Sequence, residues 1–138
     1  MEKDFSMQEK IELIINLYTF PKGYLAECIN DFPEAKKFIN AGYADLNTEN
    51  NTYYANQQGF DFLHIAIKQI SEDLISFAKR NGRTISQDDL VLWVETTYGL
   101  TDACLKEEIT KYILDNLPNY NYQIYFSRRR NKYILDNI

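Results

Sequence analysis

Apolar residues recur every third or fourth position through most of this chain and alternate with polar ones only near its end. Ser6 and Glu9 form an S-x-x-E capping box, and Met7, Ile11, Ile14, Ile15 and Tyr18 follow at helical spacing, predicting a helix over 7–18 that Pro21 and Gly23 end. Tyr24, Leu25, Cys28, Ile29 and Phe32 predict a short second helix. Pro33 suits the first turn of a third, which buries Ala35, Phe38 and Ile39 and ends at Gly42. Residues 43–47 and 53–56 are short extended candidates around the polar turn Thr48–Thr52. Asn56 is a helix cap, and Leu63, Ile67, Ile70, Leu74 and Phe77 give a long helix that stops at Asn81 and Gly82. That stripe reads as core rather than as a coiled-coil seam, since only about two heptads are present.

Both halves end their helical runs with a hairpin, without a residue-level repeat between them. Ser86 caps a helix with Leu90, Val91, Val94 and Tyr98 inside and Gly99 at its end. Thr101 or Asp102 starts another, carrying Leu105, Ile109, Tyr112 and Ile113, with Pro118 as the stop. Tyr122, Ile124 and Phe126 alternate as a strand does, Ser127–Asn131 turns, and 132–135 returns. The expected class is mainly α with short β-hairpins, an α+β chain.

At 138 residues with 45% hydrophobic content, the chain suits one domain or two very small ones. A net charge of −5 opposes a phosphate backbone unless the cations gather on one face, so a basic protein is the easier partner. Two cysteines, Cys28 and Cys104, and a single histidine, His64, cannot supply the roughly four ligands of a zinc site. Both cysteines fall on apolar helix faces and read as buried thiols, with a disulfide between them left open. The start MEKDFSMQEK has no secretory pattern and no apolar run approaches ~20 residues. The expectation is a cytoplasmic chain without membrane contact, cofactor or metal, monomeric or homodimeric.

The step Ala41-Gly42-Tyr43 and the stretch Tyr53-Tyr54-Ala55-Asn56-Gln57-Gln58-Gly59-Phe60-Asp61-Phe62-Leu63 carry a family pattern. They resemble the entry to the first wing strand and the Y-Y-x-T-x-x-G-x-x-F-L passage of winged helix-turn-helix regulators, with Asn56 in place of the capping Thr. The resemblance covers about 7–82 and implies a winged-helix-like unit, read as 1–82; the rest, 83–138, resembles no family and reads as a helical extension that ends in a hairpin, the two packed as one compact domain. The resemblance also implies a third helix in the major groove and a wing on the backbone, and both need cations. The chain departs from that pattern: residues 38–67 hold no Lys or Arg, and the wing carries Asp45 and Glu49. On the third helix Lys36 and Lys37 face Glu34 as an offset.

Catalytic motifs are missing: there is no G-x-S-x-G, P-loop, G-x-G-x-x-G or H-E-x-x-H. His64, with no orienting partner in sight, reads as structural or surface histidine rather than a general base. Asp88-Asp89 and Glu107-Glu108 are neighbours that point apart on a helix, so neither is a catalytic pair. The expectation is therefore not an enzyme. Two functions follow. In size and acidity the chain resembles bacterial toxin-neutralising immunity proteins, which implies a cognate basic protein bound through Asp45, Glu49, Tyr53, Glu72, Asp73, Asp88 and Asp89. The alternative is a DNA-binding regulator, with phosphate contacts from Lys36, Lys37, Arg128, Arg129 and Arg130.

Overall fold

The computed structural model describes residues 5–19 and 22–138, so Met1–Asp4 and the helix-ending Pro21 lie outside the described residues. The chain is α+β, with two three-stranded antiparallel sheets among its helices. Packing divides it into Met1–Ala66 and Ile67–Ile138, a break within one long helix, whereas the sequence reading divides it after Gly82.

In the first unit the capping box forms. Ser6 Oγ accepts the Glu9 N–H at 3.1 Å, and Glu9 accepts the Ser6 N–H at 2.9 Å, so two orphan donors of the first turn are satisfied. Helix α1 (Met7–Leu13) continues as a wider π-helical segment, Ile14–Thr19. The second helix expected from Tyr24 is corrected: Tyr24–Leu25 is strand β1, and only Ala26–Asp31 turns, as a 3-10 helix. Backbone pairing of Tyr24 with Tyr53 and of Leu25 with Thr52 overrides the local helical spacing. Helix α2 (Pro33–Asn40) starts on its proline and is followed by Gly42 at φ +84°, a left-handed position that glycine adopts without strain. Strands β2 (Ala44–Asn47) and β3 (Thr52–Ala55) make the hairpin, and the sheet runs β1-β3-β2.

Helix α3 (Gln57–Arg80) begins on Asn56, which is more than a cap. Its Oδ1 accepts the Gly59 N–H at 3.0 Å, while its Nδ2 donates to the Gly42 carbonyl at 2.9 Å and to Asp45 at 3.3 Å. A threonine cannot make those last two bonds while capping. Gly59 sits so close to the Tyr43 carbonyl that a Cβ there would overlap its oxygen. Ile11, Leu13, Ile14, Leu17, Phe38 and Leu63 form the core of this unit, beside a cluster of Phe5, Tyr43 and Phe62 rings.

The second unit starts with the remainder of α3 and adds strand β4 (Thr84–Ile85), which sequence reading did not expect. Helices α4 (Gln87–Tyr98) and α5 (Ala103–Asn116) follow on the expected caps, Ser86 and Asp102. Gly99 closes α4 at φ +68°. A 3-10 turn at Leu117–Tyr120 leads to β5 (Tyr122–Ser127) and β6 (Lys132–Asn137), and this sheet runs β4-β6-β5. Ile70, Leu74, Leu90, Ile109, Leu117 and Leu135 are buried here.

Both units thus share one order: helix, short strand, two helical segments, hairpin, with the last strand central in the sheet. The irregular backbone positions correspond too. Gly23 and Arg83 have positive φ just before the short strand, Gly42 and Asn121 before the hairpin, and Asn51 and Asn131 at the end of its turn. The repeat is in backbone geometry, which explains why comparing residues does not find it.

Two side-chain expectations change. Cys104 is exposed and Cys28 half-buried, both as free thiols, so Cys104 is not a core residue. Val91 is 44% exposed rather than inside. Trp93 is half-buried, stacked on Phe77 with ring centroids 5.3 Å apart.

Candidate functional site

Residues 1–66 hold five Lys and Arg against ten Asp and Glu, whereas 67–138 hold ten against ten, so the acidity of the chain belongs to its first unit. Helix α2 would be the cationic element there, but Lys37 Nζ lies 3.0 Å from both carboxylate oxygens of Glu9. Burial alone raises the Glu9 carboxyl, yet the Ser6 N–H bond and the Lys37 ammonium outweigh it and hold the group below its ordinary value. One of the two α2 lysines is therefore held in a surface ion pair, and both stay exposed.

The first hairpin presents the expected residues on a graded surface. Tyr24, Tyr53 and Leu46 stand side by side across β1, β3 and β2. Exposure rises along that row, from buried Tyr24 through half-buried Tyr53 to Leu46 at 41%. Exposed Asp45 precedes Leu46 on its strand, and exposed Glu49 sits in the turn, where its N–H bonds to Asn47 Oδ1 at 3.0 Å. Leu25 and Phe32 are also exposed in this unit, at 47% and 38%. Tyr53 and Leu46 thus form a small apolar patch on one face of the sheet beside the Glu49 turn, while Asp45 alternates to the opposite face, where it accepts from Asn56 Nδ2 at 3.3 Å. Tyr53 was legible from sequence. Leu46 was not, because its contribution depends on cross-strand register.

Beneath that row, Tyr24 OH accepts from Asn16 Nδ2 at 3.0 Å. Burial raises the Tyr24 phenol far above its usual value, and the nearly buried Glu34 carboxylate adds to this. Glu34 therefore works inside the fold and not as a surface offset to Lys36.

The acidic candidates of the second unit divide. Glu72, Asp88 and Asp89 are exposed. Asp73 is engaged internally, accepting from Tyr98 OH at 2.9 Å and from Gln69 at 2.8 Å. Burial and the Asp73 carboxylate together hold the Tyr98 phenol protonated well beyond its normal range. Asp88 and Asp89 lie in the first turn of α4, where negative charge complements the helix dipole. A groove of about 600 Å³ runs along α4 and α5. Leu90, Val91, Leu114 and Tyr133 line it, and its charges balance, with Lys106 and Lys111 against Glu107 and Asp115.

The second hairpin has the opposite sign. Arg128, Arg129 and Arg130 occupy the turn and Lys132 follows, all four exposed. The turn is fixed by Ser127, whose carbonyl accepts the Asn131 N–H at 2.7 Å and whose Oγ accepts the Arg130 N–H at 3.2 Å. His64 is exposed on α3. Among the described residues no group of three or more His, Cys, Asp or Glu could hold a metal, and no helix is long and apolar enough to cross a membrane.

No family model, no curated protein and no solved structure matches the chain.

Proposed function

We propose that this chain is a non-enzymatic, cytoplasmic protein-binding module built from two winged-helix units, and that its first unit captures a cognate basic protein in the manner of toxin-immunity proteins. Support for the winged-helix reading comes from the element order and from the central placement of the last strand in each sheet. The observation that carries the functional reading is the Tyr53–Leu46 pair open on one face of a hairpin whose turn carries Glu49 and whose opposite face carries Asp45, on a unit with twice as many acids as bases. Complementary charge accelerates encounter with a basic partner, while half-buried Tyr53 and exposed Leu46 supply the lasting contact.

A regulator that reads duplex DNA with a helix fits less well. Lys37 of α2 is neutralised by Glu9. Helix α5 carries two lysines, Lys106 and Lys111, against three acids, Glu107, Glu108 and Asp115. Duplex affinity comes largely from neutralised phosphates, so neither helix brings the charge it would need.

The test is affinity capture from nuclease-treated native host extract, followed by mass spectrometry. One stoichiometric basic protein is expected. Recovery of no protein above background, or only of acidic proteins, would contradict the reading.

A further inference from the structure

We infer that the second hairpin is a binding site for single-stranded nucleic acid, independent of the acidic surface of the first unit. The cations at the base of this hairpin have internal partners: Lys79 Nζ lies 2.6 Å from Tyr122 OH, and Arg83 donates to Asn137 at 3.2 Å. Those at the tip do not. Among the described residues the side chains of Arg128, Arg129, Arg130 and Lys132 make no hydrogen bond or ion pair, so four cations within five residues stand in water.

Charge alone attracts any polyanion, and the strand register adds selectivity. Tyr125 pairs with Ile134, and Ser127 pairs with Lys132 two residues further along, which puts Tyr125 and Lys132 on one face of the hairpin. Tyr125 is 45% exposed. It lies two residues, about 7 Å, before the end of the strand at Ser127, and the arginine turn follows at once, a separation over which a stacked base and its neighbouring phosphates can both be engaged. On the other face Phe126 packs edge-on against Tyr133, with ring centroids 5.2 Å apart, and stiffens the support. A flat aromatic beside arginines is the composition that binds unpaired bases, since stacking needs a base whose face is free and arginine suits phosphate oxygens. An anionic bilayer is disfavoured, because the turn 128–131 holds no apolar residue to insert.

The test is fluorescence anisotropy of labelled oligothymidylate of about 20 nucleotides, longer than the hairpin contact, against a duplex of equal length, from 50 to 200 mM salt. Four phosphate contacts predict a log–log salt slope of about −3 on the single strand, a loss of about 50-fold over that range. The Arg128→Ala/Arg129→Ala/Arg130→Ala variant should fall to a slope of about −0.7, losing only about threefold over the same range. Tyr125→Ala should weaken oligothymidylate binding about tenfold and leave the slope unchanged. These are exposed side chains, and circular dichroism of each variant should match wild type. The inference is overturned if no binding is seen at 50 mM salt, or if the triple variant binds as wild type does. Tighter binding to duplex or to phosphatidylserine vesicles than to the single strand, or no effect of Tyr125→Ala, overturns it as well.

Discussion

Replacing Gly59 with alanine tests whether the junction between the first hairpin and α3 is as tight as it looks. The added Cβ would overlap the Tyr43 carbonyl oxygen and stand 2.8 Å from Phe38 Cζ and 3.1 Å from the Tyr43 carbonyl carbon. None of these neighbours yields easily. The Tyr43 oxygen accepts the Asn56 N–H at 3.0 Å, and Phe38 is 1% exposed within the aromatic cluster. Overpacking of this kind costs about 1–3 kcal/mol, and a loosened backbone bond adds about 1 kcal/mol. Alanine returns at most about 1 kcal/mol through its better helix propensity. The net expectation is a loss of about 2 kcal/mol and a melting temperature lower by roughly 5–10 °C. Thermal and urea unfolding followed by circular dichroism measure it. Gly42→Ala is the control: its Cβ meets nothing within 4 Å, but φ is +84°, so only the left-handed strain of about 1–2 kcal/mol applies. Gly59→Ala within about 0.5 kcal/mol of wild type, with Gly42→Ala destabilised as expected, would refute the close approach.

Other perturbations follow from single bonds. Asn56→Ala removes the α3 cap and both donations into the hairpin, and should cost about 2 kcal/mol in urea titration, while Asn56→Thr keeps the cap and loses about half as much. Glu9→Gln keeps the capping-box geometry but not the pairing with Lys37. It should cost under about 1 kcal/mol at neutral pH. Because the Glu9 carboxyl is held below its usual value, its contribution is present above the ordinary glutamate range and fades as pH falls through the folded value, so wild type and variant should converge in acid. Tyr98→Phe strips a donor from Asp73 and should cost about 1 kcal/mol near neutrality. The folded Tyr98 phenol titrates above the unfolded one, so its contribution holds below about pH 10 and declines at higher pH. The difference between wild type and Tyr98→Phe should shrink in alkaline titrations.

Local chemistry made much of this molecule readable. The Ser6, Asn56, Ser86 and Asp102 caps sit where a side-chain oxygen next to an apolar run must put them, and Gly99 ends α4 for the same local reason. The two-residue strands β1 and β4 were unreadable because their register is set by partners far along the chain: Tyr24 pairs with Tyr53, and Thr84 with Ile134. The same distance hid the Glu9–Lys37 pair, which changes the meaning of α2 from a cationic helix to a largely neutralised one. Candidate contacts fared in the same way. Asp45, Glu49 and the Arg128–Arg130 turn were visible as charge in a hairpin, but the adjoining apolar Leu46 and the stacking surface of Tyr125 emerge only from which residues face each other across strands.

The most direct measurement is to repeat the capture of the cognate protein with Asp45→Lys/Glu49→Lys beside wild type at matched salt. Both residues are exposed and the change removes only the 3.3 Å bond from Asn56 to Asp45, so circular dichroism of the variant should match wild type. The account predicts that wild type retains a stoichiometric basic protein and that the charge-reversed hairpin loses most of it. Equal recovery of that protein by both forms would contradict the assignment of the first hairpin as the binding surface.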